Sequence, residues 1–282
     1  MARPSPIVLV LIGIASVQLG AGVAKSLFDE ASPTVIVWLR LATSAAVLAA
    51  YARPRLRGRT AMDWYVVLAF GASLGLMNLA IYEAFARIPL GIAVTIEFIG
   101  PLSLAVFGSR RARDLVWVGL AAAGVALLGV ERADLDLVGV LFALLAGAMW
   151  ATYILLSGAT GRRWEGLDGL AVASVVAGLL ITPLLLGTDD GGLSTRVLLL
   201  GAAVGLLSSV VPYSCELVAL RSLPASVFGI LMSLEPAAAA LAGLLVLGEV
   251  LSPVQWIALA CVIAASIGAT RRHSTINAPV PD

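Results

Sequence analysis

Long apolar runs, separated by short polar connections, follow one another along the chain. Each run is close to the roughly 17–25 residues that a helix needs to cross about 30 Å of hydrocarbon. The weakest boundary lies at Arg87 and Pro89, which must separate two runs that would otherwise form one helix too long for a membrane. The pattern predicts an all-α polytopic protein with ten transmembrane helices, over residues 7–27, 33–52, 63–86, 89–108, 114–130, 136–157, 167–186, 196–219, 225–247 and 253–270.

The amino-acid composition is typical of a membrane protein and argues against several kinds of partner and site. Hydrophobic residues make up 60% of the 282 residues and charged residues only 12%, whereas soluble domains are about 45–50% apolar. A net charge of +1 argues against a nucleic-acid partner. Cys215 and Cys261 fall in apolar runs and His273 lies in the polar tail, so we expect no disulfide framework, metal or cofactor. The apolar runs also lack a glycine-flanked nucleophile, and the chain is therefore not predicted to be an enzyme.

Basic residues are distributed unevenly between the two sides that ten spans would define. If the N-terminus is cytoplasmic, most of the 18 lysine and arginine residues lie in inner loops and tails. The exceptions are Arg40 within the second span and the outer residues Lys25, Arg87, Arg132 and Arg196. By the positive-inside rule, this asymmetry predicts that both termini are cytoplasmic.

Paired prolines indicate an internal repeat. Pro89 and Pro224 are 135 positions apart, as are Pro101 and Pro236. Two halves of five spans each must lie in opposite orientations in the membrane, because five is an odd number. The predicted units are a first five-helix repeat over residues 1–131, an inverted second repeat over 136–270 and a cytoplasmic tail over 271–282.

Two glutamates interrupt apolar runs near the expected membrane centre. Glu97 lies in the middle of the fourth run, where a charge costs at least about 2.5–3.5 kcal/mol. Pro101 follows four residues later and Pro236 directly follows Glu235, so both segments are expected to contain a helix break that exposes backbone carbonyls. A cost of this size predicts a function for the buried carboxylates.

Charges of both signs suit a zwitterionic substrate. Lys25 and Arg40 are candidate partners for a substrate carboxylate, although Lys25 at a helix end is the better candidate for snorkelling to the surface and Arg40 could instead neutralise a buried glutamate. Glu97, Glu235 or the freed carbonyls could hold an ammonium. Glu83 and Glu216 are further candidates, with pairing to Arg87 and Arg221 as the simpler interpretation. The remaining candidates are polar or aromatic: Gln18, Asn78, Tyr82, Trp150, Tyr153 and Tyr213.

Several segments resemble a known family. They are QLGAGVAKSLF at 18–28, WLRL at 38–41, YEAFARIPLGIAVTIEFIGPL at 82–102 and SRR at 109–111. Together they are similar to the threonine and homoserine exporter branch of the EamA transporters, within the drug/metabolite transporter superfamily. The resemblance implies ten helices in two inverted halves, a central cavity, and export of small amino acids across a bacterial inner membrane.

The expected function is therefore alternating-access export of a small amino acid, with Glu97 binding either the substrate ammonium or a proton and so coupling export to the proton gradient. Small hydroxylated substrates would suit Gln18, Asn78 and Ser208. Aromatic amino acids would instead use Trp150, Tyr153 and Tyr213. Export of other metabolites is a further alternative, and so is export of drugs or organic cations, although a drug or cation exporter would leave Arg40 unexplained. The fifth and tenth spans carry small residues at close spacing and are expected to pack either within each half or against a second protomer in a homodimer. These residues are Gly119, Ala123, Ala260, Ala264 and Gly268.

Overall fold

The computed structural model describes residues 5–109, 115–130, 136–188, 193–220, 228 and 231–274, and the regular secondary structure of these residues is entirely helical. The helices are α1 (Pro6–Lys25), α2 (Pro33–Ala52), α3 (Ala61–Phe85), α4 (Leu90–Glu97), α5 (Ile99–Ser109), α6 (Leu115–Val130), α7 (Leu137–Gly161), α8 (Asp168–Ile181), α9 (Thr195–Gly205), α10 (Val211–Leu220), α11 (Glu235–Ala242) and α12 (Pro253–Ser274). A 3₁₀ turn, Thr182–Gly187, extends α8, and π-helical turns Leu206–Val210 and Gly243–Leu247 follow α9 and α11.

The helices begin at capping signals that are visible in the sequence. Ser5 and Ser32 precede the prolines that open α1 and α2, and each side chain accepts a backbone N–H from the first turn. Thr60 and Asp63 form a reciprocal capping box at the start of α3. These interactions satisfy backbone donors that a helix N-terminus leaves unpaired.

Among the described residues, six helical segments are long and apolar enough to cross a membrane, and shorter apolar helices occupy Leu90–Leu104, Glu235–Leu247 and Pro253–Gly268. The described helices fall within or close to the ten predicted runs. This confirms an all-helical, multi-pass membrane protein. The inverted relation between the halves stays a prediction, and α12 ends at Ser274, which is four residues beyond the predicted tenth span.

The fourth run forms two helices rather than one. Phe98 separates α4 from α5, so the break precedes Pro101 by three residues. Pro101 then lies in the first turn of α5, where a missing N–H costs nothing. Pro236 similarly occupies the first turn of α11. Both prolines therefore begin helices close to the two buried glutamates.

The two halves of the chain pack mainly onto each other. Helix α3 lies against α7 and α8, α1 lies against α10 and α11, and α2 lies against α8 and α9. The fifth and tenth spans, α6 and α12, also pack together, through Gly124 against Ala258 and Gly268 against Trp117. Of the predicted small residues, Gly268 takes part in this packing, whereas Gly119, Ala123, Ala260 and Ala264 are exposed. The α6–α12 contact joins the two halves instead of lying within one half, and the homodimer stays a prediction.

Glycines bring α7 directly onto the junction of α4 and α5. A Cβ atom on Gly147 would lie 2.5 Å from the backbone oxygen of Glu97, and one on Gly100 would overlap the backbone oxygen of Gly147. Only glycine at both positions allows this approach between helix backbones. The contact fixes the backbone that carries the Glu97 side chain.

Substitution Gly100→Ala should therefore destabilise the fold. Overpacking of a tight contact costs about 1–3 kcal/mol, and about 2–4 °C of melting temperature is lost per kcal/mol in a protein of this size class. The matched control is Gly119→Ala, because a Cβ atom there would meet nothing within 4 Å. Thermal unfolding of the detergent-solubilised variants measures the difference. Equal melting temperatures for the two variants would show that the α5–α7 contact is not tight.

Candidate functional site

A cavity of about 460 Å³ lies between helices of both halves. Its volume is within the range of about 300–1,000 Å³ that is typical of small-molecule sites. The wall is mainly apolar. Its polar residues include Gln18, Arg40, Asn78, Glu97, Ser208 and Glu235, and its aromatic residues are Phe85, Phe98, Trp150, Tyr153, Tyr213 and Phe228.

Arg40 is held in the cavity wall by three hydrogen bonds. Its Nη2 donates to the backbone oxygen of Ser208 (3.0 Å), Nη1 donates to the Tyr82 hydroxyl (3.4 Å) and Nε donates to Ser209 Oγ (3.4 Å). The guanidinium carbon also lies 5.6 Å from the centre of the Tyr82 ring. Each Nη atom carries two N–H groups and donates only one to a described residue. Both atoms therefore retain an N–H for a further acceptor.

Glu97 is the last residue of α4 and lines the same cavity. It is 9% exposed, as is Arg40. Within the part of the chain that the structure describes, no hydrogen-bond donor reaches the Glu97 carboxylate, and the ion pairs do not include one between Arg40 and Glu97. Two opposite charges thus face one cavity without neutralising each other directly.

Glu235 brings a second carboxylate to the cavity from the other half. It is buried at the first position of α11, where the partial positive charge of a helix N-terminus favours an anion. Near it, the Ser233 and Ser266 hydroxyls share a hydrogen bond of 2.7 Å, and Ser266 also lines the cavity.

The aromatic candidates take different positions. Trp150 and Tyr153 line the cavity from α7, where Trp150 meets Phe98 edge-on at a centroid distance of 5.5 Å and Tyr153 lies 5.1 Å from Phe70. Tyr213 lines the cavity from α10. Tyr82 does not line it. Its role in the structure is to position Arg40.

Lys25 lies outside the cavity lining, at the end of α1. Its Nζ forms an ion pair with Glu249 (2.6 Å) and donates to the Ile88 backbone oxygen (2.8 Å), while the Glu249 carboxylate also accepts the N–H of Leu90 at the start of α4 (2.8 Å). This Lys25–Glu249 cluster links α1 and α4 of the first half to the α11–α12 connection of the second half. Sequence analysis missed Glu249. The sequence signal for Glu249 was its negative charge, opposite to that of Lys25, in the connection between α11 and α12.

Glu83 is also outside the cavity lining. Glu83 pairs with Arg87 one helical turn later, at 2.5 Å, as the simpler interpretation of the sequence holds. The side chain of Glu216 and the whole of Arg221 lie outside the described residues. Groups of three or more side chains able to hold a metal ion are not found in the described part of the chain.

A second charged cluster lies at the opposite end of the helices, and sequence analysis did not identify it. Arg59 pairs with Asp168 (3.7 Å) and stacks over the Trp164 ring at 4.4 Å, and Arg163 pairs with Asp63 (3.2 Å). This Arg59–Asp168 cluster joins the α2–α3 connection of the first half to the α7–α8 connection of the second. Each end of the protein therefore carries a charged contact between the halves.

Comparison with known proteins identifies the family. Residues 137–271 match the EamA-like transporter family. The chain is 44% identical to the threonine/homoserine exporter RhtA of Escherichia coli K12 over 280 residues, which cover 96% of this chain and 94% of that protein. The chain belongs to the EamA-like transporter family. The resemblance that the sequence motifs indicated is thereby confirmed.

Two other relatives of this EamA-like transporter are also named as transporters. The threonine/homoserine exporter RhtA of Salmonella typhimurium LT2 is 43% identical over 270 residues, covering 94% of this chain and 91% of that protein. The uncharacterized transporter YwfM of Bacillus subtilis is 33% identical over 187 residues, covering 64% of this chain and 63% of that protein. A protein of known crystal structure shares the fold, with a TM-score of 0.66 and 18% identity over 96% of this chain and 99% of the other.

Proposed function

We propose that this transporter exports threonine, homoserine and similarly small polar amino acids across a bacterial inner membrane by alternating access. The relatives named for that activity are similar over nearly their whole length, which supports the assignment. The observation in the structure that carries the proposal is the presence of Arg40 and Glu97 in the wall of one cavity, each with hydrogen-bonding capacity left over.

A zwitterion matches this arrangement of charges. The two N–H groups that Arg40 retains can donate to a substrate carboxylate, and Arg–carboxylate contacts of this kind are short and strong. The Glu97 carboxylate can accept the substrate ammonium. A buried charge is costly without a partner, and a bound amino acid supplies the missing partner to both residues at once.

Glu97 also gives the proposal a coupling step. When the ammonium leaves, the carboxylate is again without a donor among the described residues, and a proton is the smallest cation that can replace it. Exchange of one proton for one ammonium at Glu97 would couple export to the proton gradient. Glu235 is the second group in the cavity that could take this role.

Export of aromatic amino acids is the second candidate function. Trp150, Phe98 and Tyr153 offer aromatic faces within the same cavity, and such faces would stack on an aromatic side chain. Export of organic cations is less well supported, since the Arg40 guanidinium lies in the wall and would repel a cation. That repulsion separates an amino-acid carrier from a cation carrier.

The packing of the helices supports two inverted halves, whereas the proposed cytoplasmic side of both termini rests on the distribution of basic residues. An inverted repeat pairs each helix of the first half with one of the second, in chain order: α1 with α7, α2 with α8, α3 with α9–α10, α4–α5 with α11, and α6 with α12. When each helix is replaced by its counterpart, the observed α3–α7 contact becomes the α10–α1 contact, which is also observed. The same replacement turns α3–α8 into α9–α2. The pairs α2–α8, α4–α11 and α6–α12 map onto themselves. A pseudo-two-fold relation produces this pattern of contacts.

The two charged clusters supply contacts that alternating access must break. The Lys25–Glu249 cluster holds the halves together at one end and the Arg59–Asp168 cluster does so at the other. A carrier that opens one end at a time would separate one cluster while the other stays closed. Opening of one end would bring water to both charges of its pair, and a solvent-exposed ion pair contributes at most about 1 kcal/mol, so the pair can separate in every cycle.

The substrate is tested by efflux. Expressed in a bacterium that lacks its own exporters, the protein should raise threonine and homoserine efflux and tolerance to homoserine, with phenylalanine measured in parallel. An increase for phenylalanine alone would establish the second candidate function. Resistance to lipophilic cations without any amino-acid efflux would contradict both.

Alternating access is tested by cross-linking across the Lys25–Glu249 cluster. In a Cys215→Ser, Cys261→Ser background, Lys25→Cys and Glu249→Cys joined by a short thiol cross-linker should stop threonine counterflow in proteoliposomes, and reduction should restore it. The matched control joins Glu83→Cys to Arg87→Cys, which lie one turn apart on α3 and cannot hold the halves together. Undiminished counterflow in the cross-linked Lys25–Glu249 variant would rule out opening at this end.

A further inference from the structure

Two oxygens of residues in the wall of the Arg40 cavity are buried without a hydrogen-bond partner among the described residues. They are Asn78 Oδ1 and Ser208 Oγ, on residues that are 1% and 2% exposed. Both residues line the cavity. A buried oxygen without a partner destabilises a protein, so a bound ligand that pairs with it would offset that cost.

A hydrogen bond to the backbone fixes the orientation of the Asn78 amide. Its Nδ2 donates to the backbone oxygen of Leu74 at 2.8 Å, within the same helix. An amide oxygen cannot donate to that carbonyl, which excludes the flipped orientation. The remaining group, Oδ1, is an acceptor only and can bind an O–H or N–H but not a methyl group.

Both residues are connected to Arg40 through contacts of their own helical segments. Asn78 lies one helical turn before Tyr82 on α3, which places their Cβ atoms about 5–6 Å apart on one face, and the Tyr82 hydroxyl accepts from Arg40. The Ser208 backbone oxygen accepts from Arg40 as well. Ser208 lies in a π-helical turn, a type of segment that is frequent at functional sites.

Gly20 lets α1 approach Ser208 closely. A Cβ atom on Gly20 would overlap Ser208 Oγ, so only glycine at this position lets the Ser208 hydroxyl pack against α1. Gln18, two residues earlier, lines the cavity. The residues that carry the two unpaired oxygens thus line the same cavity as Arg40, which under the proposed function binds the substrate carboxylate.

We propose that Asn78, assisted by Ser208, recognises the side-chain hydroxyl of the substrate and so selects hydroxylated amino acids over their methyl analogues. This proposal rests on the proposed function, because it places the substrate carboxylate at Arg40. In threonine and homoserine the hydroxyl lies one or two carbons beyond the α-carbon, within reach of groups that surround the carboxylate site. A bound hydroxyl satisfies Asn78 Oδ1, whereas a methyl group leaves it unpaired. Sites that bind a hydroxyl in this way reject analogues that lack it.

The test uses pairs of substrates that differ only in this group. Inhibition of labelled-threonine counterflow in proteoliposomes is measured for threonine against valine and for homoserine against norvaline, and alanine reports binding of the zwitterion alone. In the unmodified protein each hydroxylated compound should inhibit at least about tenfold better than its methyl analogue. A tenfold ratio corresponds to about 1.4 kcal/mol, which is the size of effect expected when one buried oxygen loses its hydrogen-bond partner. In Asn78→Leu, which keeps the approximate volume, the ratio should fall towards one.

The matched control is Ser44→Ala. Ser44 Oγ is likewise buried without a partner among the described residues, but Ser44 does not line the cavity. Its removal should leave the ratio unchanged, which separates recognition of a hydroxyl from the general effect of removing a buried unpaired oxygen. Ser208→Ala provides a second variant and should lower the ratio in part.

The inhibition ratios decide whether the site recognises a hydroxyl group. A ratio near one in the unmodified protein, or an unchanged ratio in Asn78→Leu, overturns hydroxyl recognition while the export of amino acids stands. If Asn78→Leu no longer binds alanine, an unchanged ratio in Ser208→Ala overturns it. If the unmodified protein exchanges neither threonine nor alanine, the proposed function itself fails.

Discussion

A buried arginine and a buried glutamate facing one cavity form the constraint on which the rest of this structure depends. Burial of either charge costs free energy, and the ion pairs among the described residues do not include one between Arg40 and Glu97. Arg40 is held by hydrogen bonds that it donates to Tyr82, Ser208 and Ser209. Among the described residues, Glu97 is held through its backbone, by the α4–α5 junction and the close approach of Gly147. Under the proposed function, rigid placement of two incompletely paired charges would favour a ligand that carries both signs.

The arrangement of the halves explains how such a site can also move. Since the halves pack mainly onto each other, the cavity is built from both, with Arg40 and Glu97 contributed by the first half and Ser208 and Glu235 by the second. Relative movement of the halves would change the cavity and the charged clusters at both ends together. Under the proposed alternating access, binding and opening would be linked through this interface.

Much of the fold follows from the sequence because hydrophobic run length is a direct physical requirement of the bilayer. Glu97 and Arg40 were identifiable for the related reason that charges within apolar runs are costly. A helix break in the fourth run was predicted from Pro101, but its position at Phe98 was not, because the backbone geometry there also depends on the approach of α7. The partner of Lys25 was also missed, since pairing with Glu249 joins residues more than two hundred positions apart. Contacts of that kind depend on tertiary packing, which apolar periodicity does not describe.

The most direct test of the two-charge site compares threonine with analogues that each lack one charge. Threoninamide lacks the carboxylate and 3-hydroxybutanoate lacks the ammonium, and each should inhibit threonine counterflow at least about tenfold less well than threonine, since a buried charge is left unpaired. Arg40→Gln should remove the disadvantage of threoninamide only, and Glu97→Gln should remove that of 3-hydroxybutanoate only, because each variant deletes one of the two interactions. Disadvantages that persist unchanged in both variants would show that Arg40 and Glu97 do not bind the substrate.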